Sequence, residues 1–364
     1  MATPAAPLVP GPLADMVTGT DTVLWNDSAD LEELGQSIGF GAVGATCNPV
    51  IAYTTIKKWP QVWGPRIRSI AEANPTWGES QIGWEAVREM SVEAAALLVP
   101  AFEAHQGRNG RLSMQTDPRL HRDPAALVDQ AVEFAALAPN IIVKIPATET
   151  GVAAMEEATY RGVSINATVS FSVPQVLAVG EAVERGLRRR EAEGLDVSAM
   201  GPVVTLMVGR LDDWLKVAAA RDGIDVDPAH LEWAGVAAIK RAYQIFTERG
   251  YRARVLSAAF RNLLQWSELV GGDLVISPPF AWQQKIQASG IPAEHRIDEP
   301  IAPEILATLT KLEDFRRAYE PDGLTPAEFA AFPPTARTLR QFLAADADLD
   351  TLVRDVILPN PDPQ

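Results

Sequence analysis

Lys144 lies within Asn140-Ile-Ile-Val-Lys-Ile-Pro-Ala-Thr148, a short β-branched run that Pro146 and a polar Thr-Glu-Thr-Gly bring to an end. The pattern reads as a buried parallel strand running into a turn. The chain has seven lysines, and the other six (Lys57, Lys58, Lys216, Lys240, Lys285, Lys311) fall in segments that read as helical or surface. Burial lowers the pKa of an amine, so a lysine in such a strand can be uncharged and nucleophilic near neutrality. Two readings stand side by side: a Schiff-base lysine, or a lysine whose stem reaches from the strand end to solvent.

Other apolar runs also close on polar residues. Their ends supply Asp27, Asn48, Gln115, Asn166, Thr168 and Thr205, with Arg210 and Arg261 just beyond the sixth and seventh runs. One amine, one carboxylate, several neutral hydrogen-bonding groups and two arginines suit carbonyl chemistry on an anionic, hydroxylated substrate. Singly, each has a plainer role: a helix N-terminal group for Asp27, turn chemistry for Asn48 before Pro49, strand threonines, surface ion pairs for the arginines. Their coincidence at strand ends favours a shared site.

Eight such runs alternate with helical patterns, beginning near residues 22, 41, 110, 140, 162, 202, 254 and 273. That count and alternation predict a (β/α)8 barrel, whose strand C-termini share one catalytic face. Residues 1–20 read as a loose lead-in, 50–106 as a helical region broken near Asn74-Pro75, and 229–249 as one helix. Another helix is expected between Phe260-Arg-Asn262 and Gly271-Gly272, and the tail over 302–357 reads as several short helices. The division expected is a catalytic barrel over 1–300 and a helical extension over 301–364 packed on it. Gly39-Phe-Gly-Ala-Val-Gly44 matches a dinucleotide fingerprint by letter, but it follows a helix and enters a strand, the reverse of that context.

Composition narrows the classes. A formal charge of −15 disfavours nucleic acid as a partner. The single cysteine, Cys47, allows no intrachain disulfide and reads as a small buried side chain, and the four histidines lack metal-ligand spacing. No metal and no cofactor are expected. Residues 1–12 lack the basic start of a signal peptide, and no apolar run approaches a membrane span. The expected setting is cytoplasmic, without a membrane partner. Monomer and homodimer are both open.

The ordered pieces Gly44-Ala-Thr-Cys-Asn-Pro49, Ser113-Met-Gln-Thr-Asp-Pro-Arg119, Ile142-Val-Lys-Ile-Pro-Ala-Thr148, Ile165-Asn-Ala-Thr168, Val208-Gly-Arg210, Ala259-Phe-Arg-Asn262 and Ile276-Ser-Pro278 resemble the transaldolase family over about residues 20–290. The resemblance implies a Schiff base on Lys144, with Asp27 as general acid/base. Asn48 and Asn166 would hold the three-carbon intermediate, with Thr46 lining the pocket beside them. Thr168, with Gln115, would position a water, and Arg210 and Arg261 would bind a substrate phosphate. Gln115 stands where transaldolases usually carry Glu and where fructose-6-phosphate aldolases carry Gln. Ala259 replaces a common serine, and Thr205 stands where a serine is common. The activity implied is transfer of a dihydroxyacetone unit from a ketose (phosphate) donor to an aldehyde acceptor, as in the pentose phosphate pathway. Two rivals are an aldolase releasing free dihydroxyacetone and a non-catalytic sugar-phosphate-binding barrel.

Overall fold

A computed structural model describes residues 7–361. Eight strands close into a barrel in sequence order: β1 Val23–Asn26, β2 Ala42–Thr46, β3 Arg111–Gln115, β4 Ile141–Pro146, β5 Ile165–Thr168, β6 Val203–Leu206, β7 Arg254–Ala258 and β8 Val275–Ser277. All pairs are parallel, and β8 returns to β1 through Val23↔Val275 and Leu24↔Ile276. Each strand falls within one of the eight expected runs, so the chain is a (β/α)8 barrel.

The barrel interior is built in layers. Trp25, Ile142, Val203, Leu256, Ala258 and Val275 form an apolar cluster separate from the core between barrel and helices. Side chains alternate faces along a strand, so the position two residues further on faces inward again. On β1, β4, β6 and β8 that step leads from Trp25 to Asp27, from Ile142 to Lys144, from Val203 to Thr205 and from Val275 to Ser277. The apolar layer is thus a dry floor under a polar one. Its largest member, Trp25, is fully buried. Gly44 on the neighbouring strand makes room for it, because a Cβ there would come within 2.4 Å of the indole.

Several helical expectations need correction. The lead-in contains a helix, Pro12–Gly19, with Leu13 and Met16 buried; Pro12 occupies its first turn, where a missing N–H costs nothing. The region after β2 has a second break. Pro49–Lys58 ends at Trp59, and Pro60–Ala73 starts again with a proline in its first turn, ahead of Glu79–Ala104. Residues 229–249 divide into Pro228–Leu231 and Ala234–Arg249, and only the short helix Leu264–Ser267 follows β7.

The largest difference is in the tail. Pro303–Leu309 and Glu313–Tyr319 are short as expected, but Pro333–Ile357 is one unbroken helix of 25 residues. Its two prolines stand at the start and none follows within it. This C-terminal helix packs on Pro49–Lys58, Pro60–Ala73, Glu79–Ala104 and the helix Val208–Asp222 that follows β6. Its buried positions, among them Thr335, Thr338, Phe342, Asp346, Leu349 and Val353, recur at helical spacing on one face. Among the described residues, no helix is long and apolar enough to cross a membrane.

The fit of Gly44 under Trp25 makes a direct prediction. Gly44→Ala should destabilise the fold by about 1–3 kcal/mol through overpacking, read as a lower urea midpoint. Trp25→Phe in the Gly44→Ala background should recover part of that loss, because the smaller ring vacates the clash.

Candidate active site

Gln115, Lys144 and Asn166 are successive register partners on β3, β4 and β5, so they form one row across the barrel mouth. Lys144 is 2% exposed. Among the described residues no carboxylate lies within ion-pair distance of its ammonium. Burial holds its pKa below the ordinary lysine value; Asp27 and Cys47 oppose the shift and Arg210 adds to it. Lys240 gives the contrast. It too is buried, but its Nζ lies 3.2 Å from Glu268 Oε2 and donates to the carbonyls of Arg296 (2.7 Å) and Glu299 (2.9 Å). Lys240 is a satisfied structural lysine. Lys144 is a buried amine without a salt-bridge partner among the described residues, at the position where a barrel keeps its chemistry.

The neighbouring polar groups are held by one another. Thr46, last in β2, donates its hydroxyl to Asp27 Oδ1 at 2.5 Å. Asn166 Nδ2 donates to Ser113 Oγ at 2.9 Å, and Thr205 Oγ1 donates to Asn166 Oδ1 at 2.7 Å. One Nδ2 hydrogen of Asn166 remains for a ligand, and the two bonds fix its direction. Asn48 caps the Pro49–Lys58 helix, accepting from the N–H groups of Val50 (3.0 Å) and Ile51 (3.1 Å) through Oδ1. The turn role weighed for Asn48 is therefore real, and it leaves the Nδ2 hydrogens uncommitted. Thr168 is fully buried, and its hydroxyl makes only a weak contact with Met207 Sδ at 4.0 Å. Gln115 is 3% exposed, and neither polar atom of its side chain has a hydrogen-bond partner among the described residues.

Cys47 is buried beside this row, and burial pushes its thiol up to about 12. It is therefore a protonated, inert side chain at neutral pH.

The two arginines follow β6 and β7. Arg210 is in the first turn of Val208–Asp222, a helix with no side-chain N-cap. Uncapped N–H groups and the helix dipole favour an anion there. Burial, and then the nearby Arg261, lower the Arg210 pKa to about 10. Arg261 follows β7, and its Nε donates to Asp213 Oδ2 at 2.9 Å. Gly209 lets the two segments meet: a Cβ there would come within 2.1 Å of the Ala259 carbonyl oxygen and 2.6 Å of Arg261 Cγ. The chain leaves β5 and β7 through left-handed residues, Val169 at φ 54 and Ala259 at φ 61. A branched residue in that region is strained, as is common beside functional sites.

Several supports were absent from the sequence-level set. Ser113, which orients Asn166, lies two residues before Gln115 on the same face, so strand alternation carries a signal for it. Asp212 has no local signal. It is buried, accepts from Gly235 N at 2.7 Å and from Gln265 Nε2 at 2.5 Å, and Gln265 Oε1 in turn accepts from Arg261 N at 2.6 Å. Burial pushes the Asp212 carboxyl well above its usual range. The C-terminal helix supplies Thr338 and Gln341, both accepting from Arg210 Nη1, and Phe342, whose ring lies 5.8 Å from the guanidinium. Among the described residues, no three His, Cys, Asp or Glu gather as a metal site.

Comparison with known proteins agrees with this geometry. The Transaldolase/Fructose-6-phosphate aldolase family model matches residues 24–323. A transaldolase of Parafrankia sp. is 26% identical over 360 residues, 95% of this chain and 91% of that protein. One of Thiobacillus denitrificans is 29% identical over 288 residues, 72% of this chain and 79% of its own. Transaldolase 1 of Streptomyces avermitilis reaches 37% identity over 170 residues, and that match spans 45% of each chain. With the family match covering most of the barrel, and with a buried lysine free of any ion pair at its mouth, the chain belongs to the transaldolase/fructose-6-phosphate aldolase family.

Proposed function

We propose that the protein is a transaldolase that moves a dihydroxyacetone unit from a ketose phosphate to an aldehyde acceptor. The observation that carries the proposal is Lys144: a buried amine with a lowered pKa and no ion-pair partner, in register with Gln115 and Asn166.

The Lys144 amine adds to the C2 carbonyl of the donor. Loss of the C2 oxygen as water gives an iminium, which supplies the electron sink for carbon–carbon cleavage. Asp27 takes the C4 hydroxyl proton, the C3–C4 bond breaks, and the electron pair passes into an enamine. Thr46, bonded to Asp27 Oδ1, holds that carboxylate in one orientation. The uncommitted amide hydrogens of Asn48 and Asn166 bind the hydroxyls of the three-carbon unit, and Thr205 keeps the Asn166 amide turned toward it. Gln115 and Thr168 hold the water exchanged during imine formation. An acceptor aldehyde then enters and the steps run in reverse.

Arg210, Arg261 and the open helix N-terminus beside them suit the donor phosphate, since planar guanidinium forks match its oxygens. The same reading makes the 301–364 extension a wall of the site, packed on a catalytic barrel of residues 1–300, because its Thr338 and Gln341 side chains hold Arg210.

Borohydride treatment with fructose 6-phosphate should leave a three-carbon adduct on Lys144, seen by intact mass and peptide mapping. Lys144→Met should give no adduct and no turnover; turnover near the wild-type rate in that variant would exclude the mechanism. Rapid release of dihydroxyacetone without an acceptor would instead mark an aldolase.

Lys144→Met should also raise the melting temperature at neutral pH. The folded chain holds the Lys144 proton less tightly than the unfolded chain, so wild-type stability rises with pH below the ordinary lysine value of 10.5. The variant's advantage should therefore shrink as pH rises toward that value.

Arg210→Ala and Arg261→Ala should each raise KM for fructose 6-phosphate about 10- to 100-fold, the loss expected for charge-assisted hydrogen bonds. Unphosphorylated fructose should be nearly unaffected, so the ratio of the two KM values is the readout.

A further inference from the structure

The arginines at the mouth have donors to spare. Arg210 Nη1 is taken by the C-terminal helix, through Thr338 Oγ1 at 3.2 Å and Gln341 Oε1. Its Nε is buried without a partner, and its Nη2 makes no hydrogen bond among the described residues. The helix thus fixes one corner of the guanidinium and leaves the Nε–Nη2 edge open, an edge that can grip an oxyanion with two parallel hydrogen bonds. Arg261 commits Nε to Asp213 (2.9 Å) and Nη1 to the carbonyls of Ala259 (3.1 Å) and Phe260 (3.0 Å), which leaves Nη2.

A third arginine adjoins them. Arg337 lies one position before Thr338 and one turn before Gln341 on the C-terminal helix. Residues four apart on a helix are surface neighbours, so Arg337 stands beside the contact that holds Arg210. It is exposed, and among the described residues its guanidinium has no hydrogen bond, ion pair or ring partner. It is near enough to Arg210 to act on that residue's ionisation, as are Arg261, Asp27 and Asp213. The two carboxylates are engaged elsewhere: Asp213 pairs with Arg261, and Asp27 accepts from Thr46. Among the described residues, neither Arg210 nor Arg337 has a carboxylate within ion-pair distance.

The plain role of Arg337 is a solvated surface charge. Other exposed arginines on the helices of this acidic chain do find carboxylates: Arg66 pairs with Glu93, Arg161 with Glu157 and Arg354 with Glu79. Arg354 is the sharpest contrast, because it stands on the same helix as Arg337. Arg337 instead points its helix position at another unpaired arginine, an arrangement that repels itself until an anion arrives.

We propose that Arg337 is a third ligand for the substrate anion, supplied by the C-terminal helix, and that it makes the site select a dianionic phosphate ester over a monoanionic sulfate ester of the same shape. The inference rests on the sugar-phosphate reading above and adds to it the charge that the site prefers. A phosphate ester carries close to two negative charges above neutrality. Coulomb attraction scales with the charge of the ligand, so an added cation stabilises the bound dianion about twice as much as the bound monoanion. Arg210 contributes a fixed hydrogen-bonding edge; Arg337, exposed and unpaired, contributes charge.

The test compares wild type, Arg337→Gln and Arg337→Lys at about pH 8, where the phosphate is doubly charged. Because the side chain is exposed, neither substitution removes packing. Arg337→Gln should raise KM for fructose 6-phosphate about 10-fold, the low end for a charge-assisted contact. The inhibition constant of fructose 6-sulfate should rise only about 3-fold, the square root of that factor, because the Coulomb energy is halved. KM for unphosphorylated fructose and kcat should not change, and Arg337→Lys should recover most of the phosphate affinity. An unchanged KM for fructose 6-phosphate in Arg337→Gln would overturn the proposal. An equal rise for the phosphate and sulfate esters would overturn the charge selection. Calorimetry with inorganic phosphate separates this role from the transaldolase reading, since it needs no turnover. Binding about 10-fold weaker in Arg337→Gln than in wild type supports the Arg337 role even if no sugar is turned over, a result that would sink the transaldolase reading alone. Equal phosphate binding by the two proteins would sink the Arg337 role alone.

Discussion

The fold carries a buried amine with no ion-pair partner among the described residues, and much of the surrounding architecture follows from that constraint. A charged lysine there would be costly, and the nearest opposite charge, Asp27, acts on Lys144 without pairing with it. Lys240 shows that the same chain satisfies a buried lysine when nothing else is asked of it. That cost is set by what lies beneath. Trp25 and its neighbours form a buried apolar layer, and the missing Cβ of Gly44 makes room for the indole. The floor keeps the amine desolvated, and the row of Gln115 and Asn166 gives it polar company without charge.

The anion end is organised by close backbone approach. Gly209 brings the start of one helix against the chain leaving β7, which turns through a left-handed alanine. The buried chain from Gly235 through Asp212 and Gln265 to the Arg261 amide keeps that loop in place from below. Asp27 after β1 and the two arginines after β6 and β7 come from different strand ends of the same barrel face, and Asp27 is near enough to Arg210 to act on its ionisation.

Legibility in the sequence followed locality. The strands were readable because short β-branched runs end abruptly on polar residues, and those ends named the row at the mouth. Thr46 came from the resemblance alone. Ser113 was visible in principle through alternation and had no role assigned. Asp212, Thr338 and Gln341 were not readable, because their relevance depends on which helix crosses which strand end. The tail misled for a similar reason: its Pro and Gly residues punctuate the segment up to 334, while the stretch after Pro334 is uninterrupted helix former. The lead-in was read as loose and Pro60 was passed over, yet Pro12 and Pro60 both open helices, since a proline in a first turn has no hydrogen bond to lose.

The mouth draws on residue 27 at one extreme and residue 341 at the other. Folding therefore has to bring both ends of the chain to one face before Arg210 is held. A chain stopped short of that helix would lack Thr338 and Gln341 and would leave uncovered the apolar surface that Phe342, Leu349 and Val353 cover. The surface around Arg210 is in this sense a product of the whole described chain and not of the strands alone.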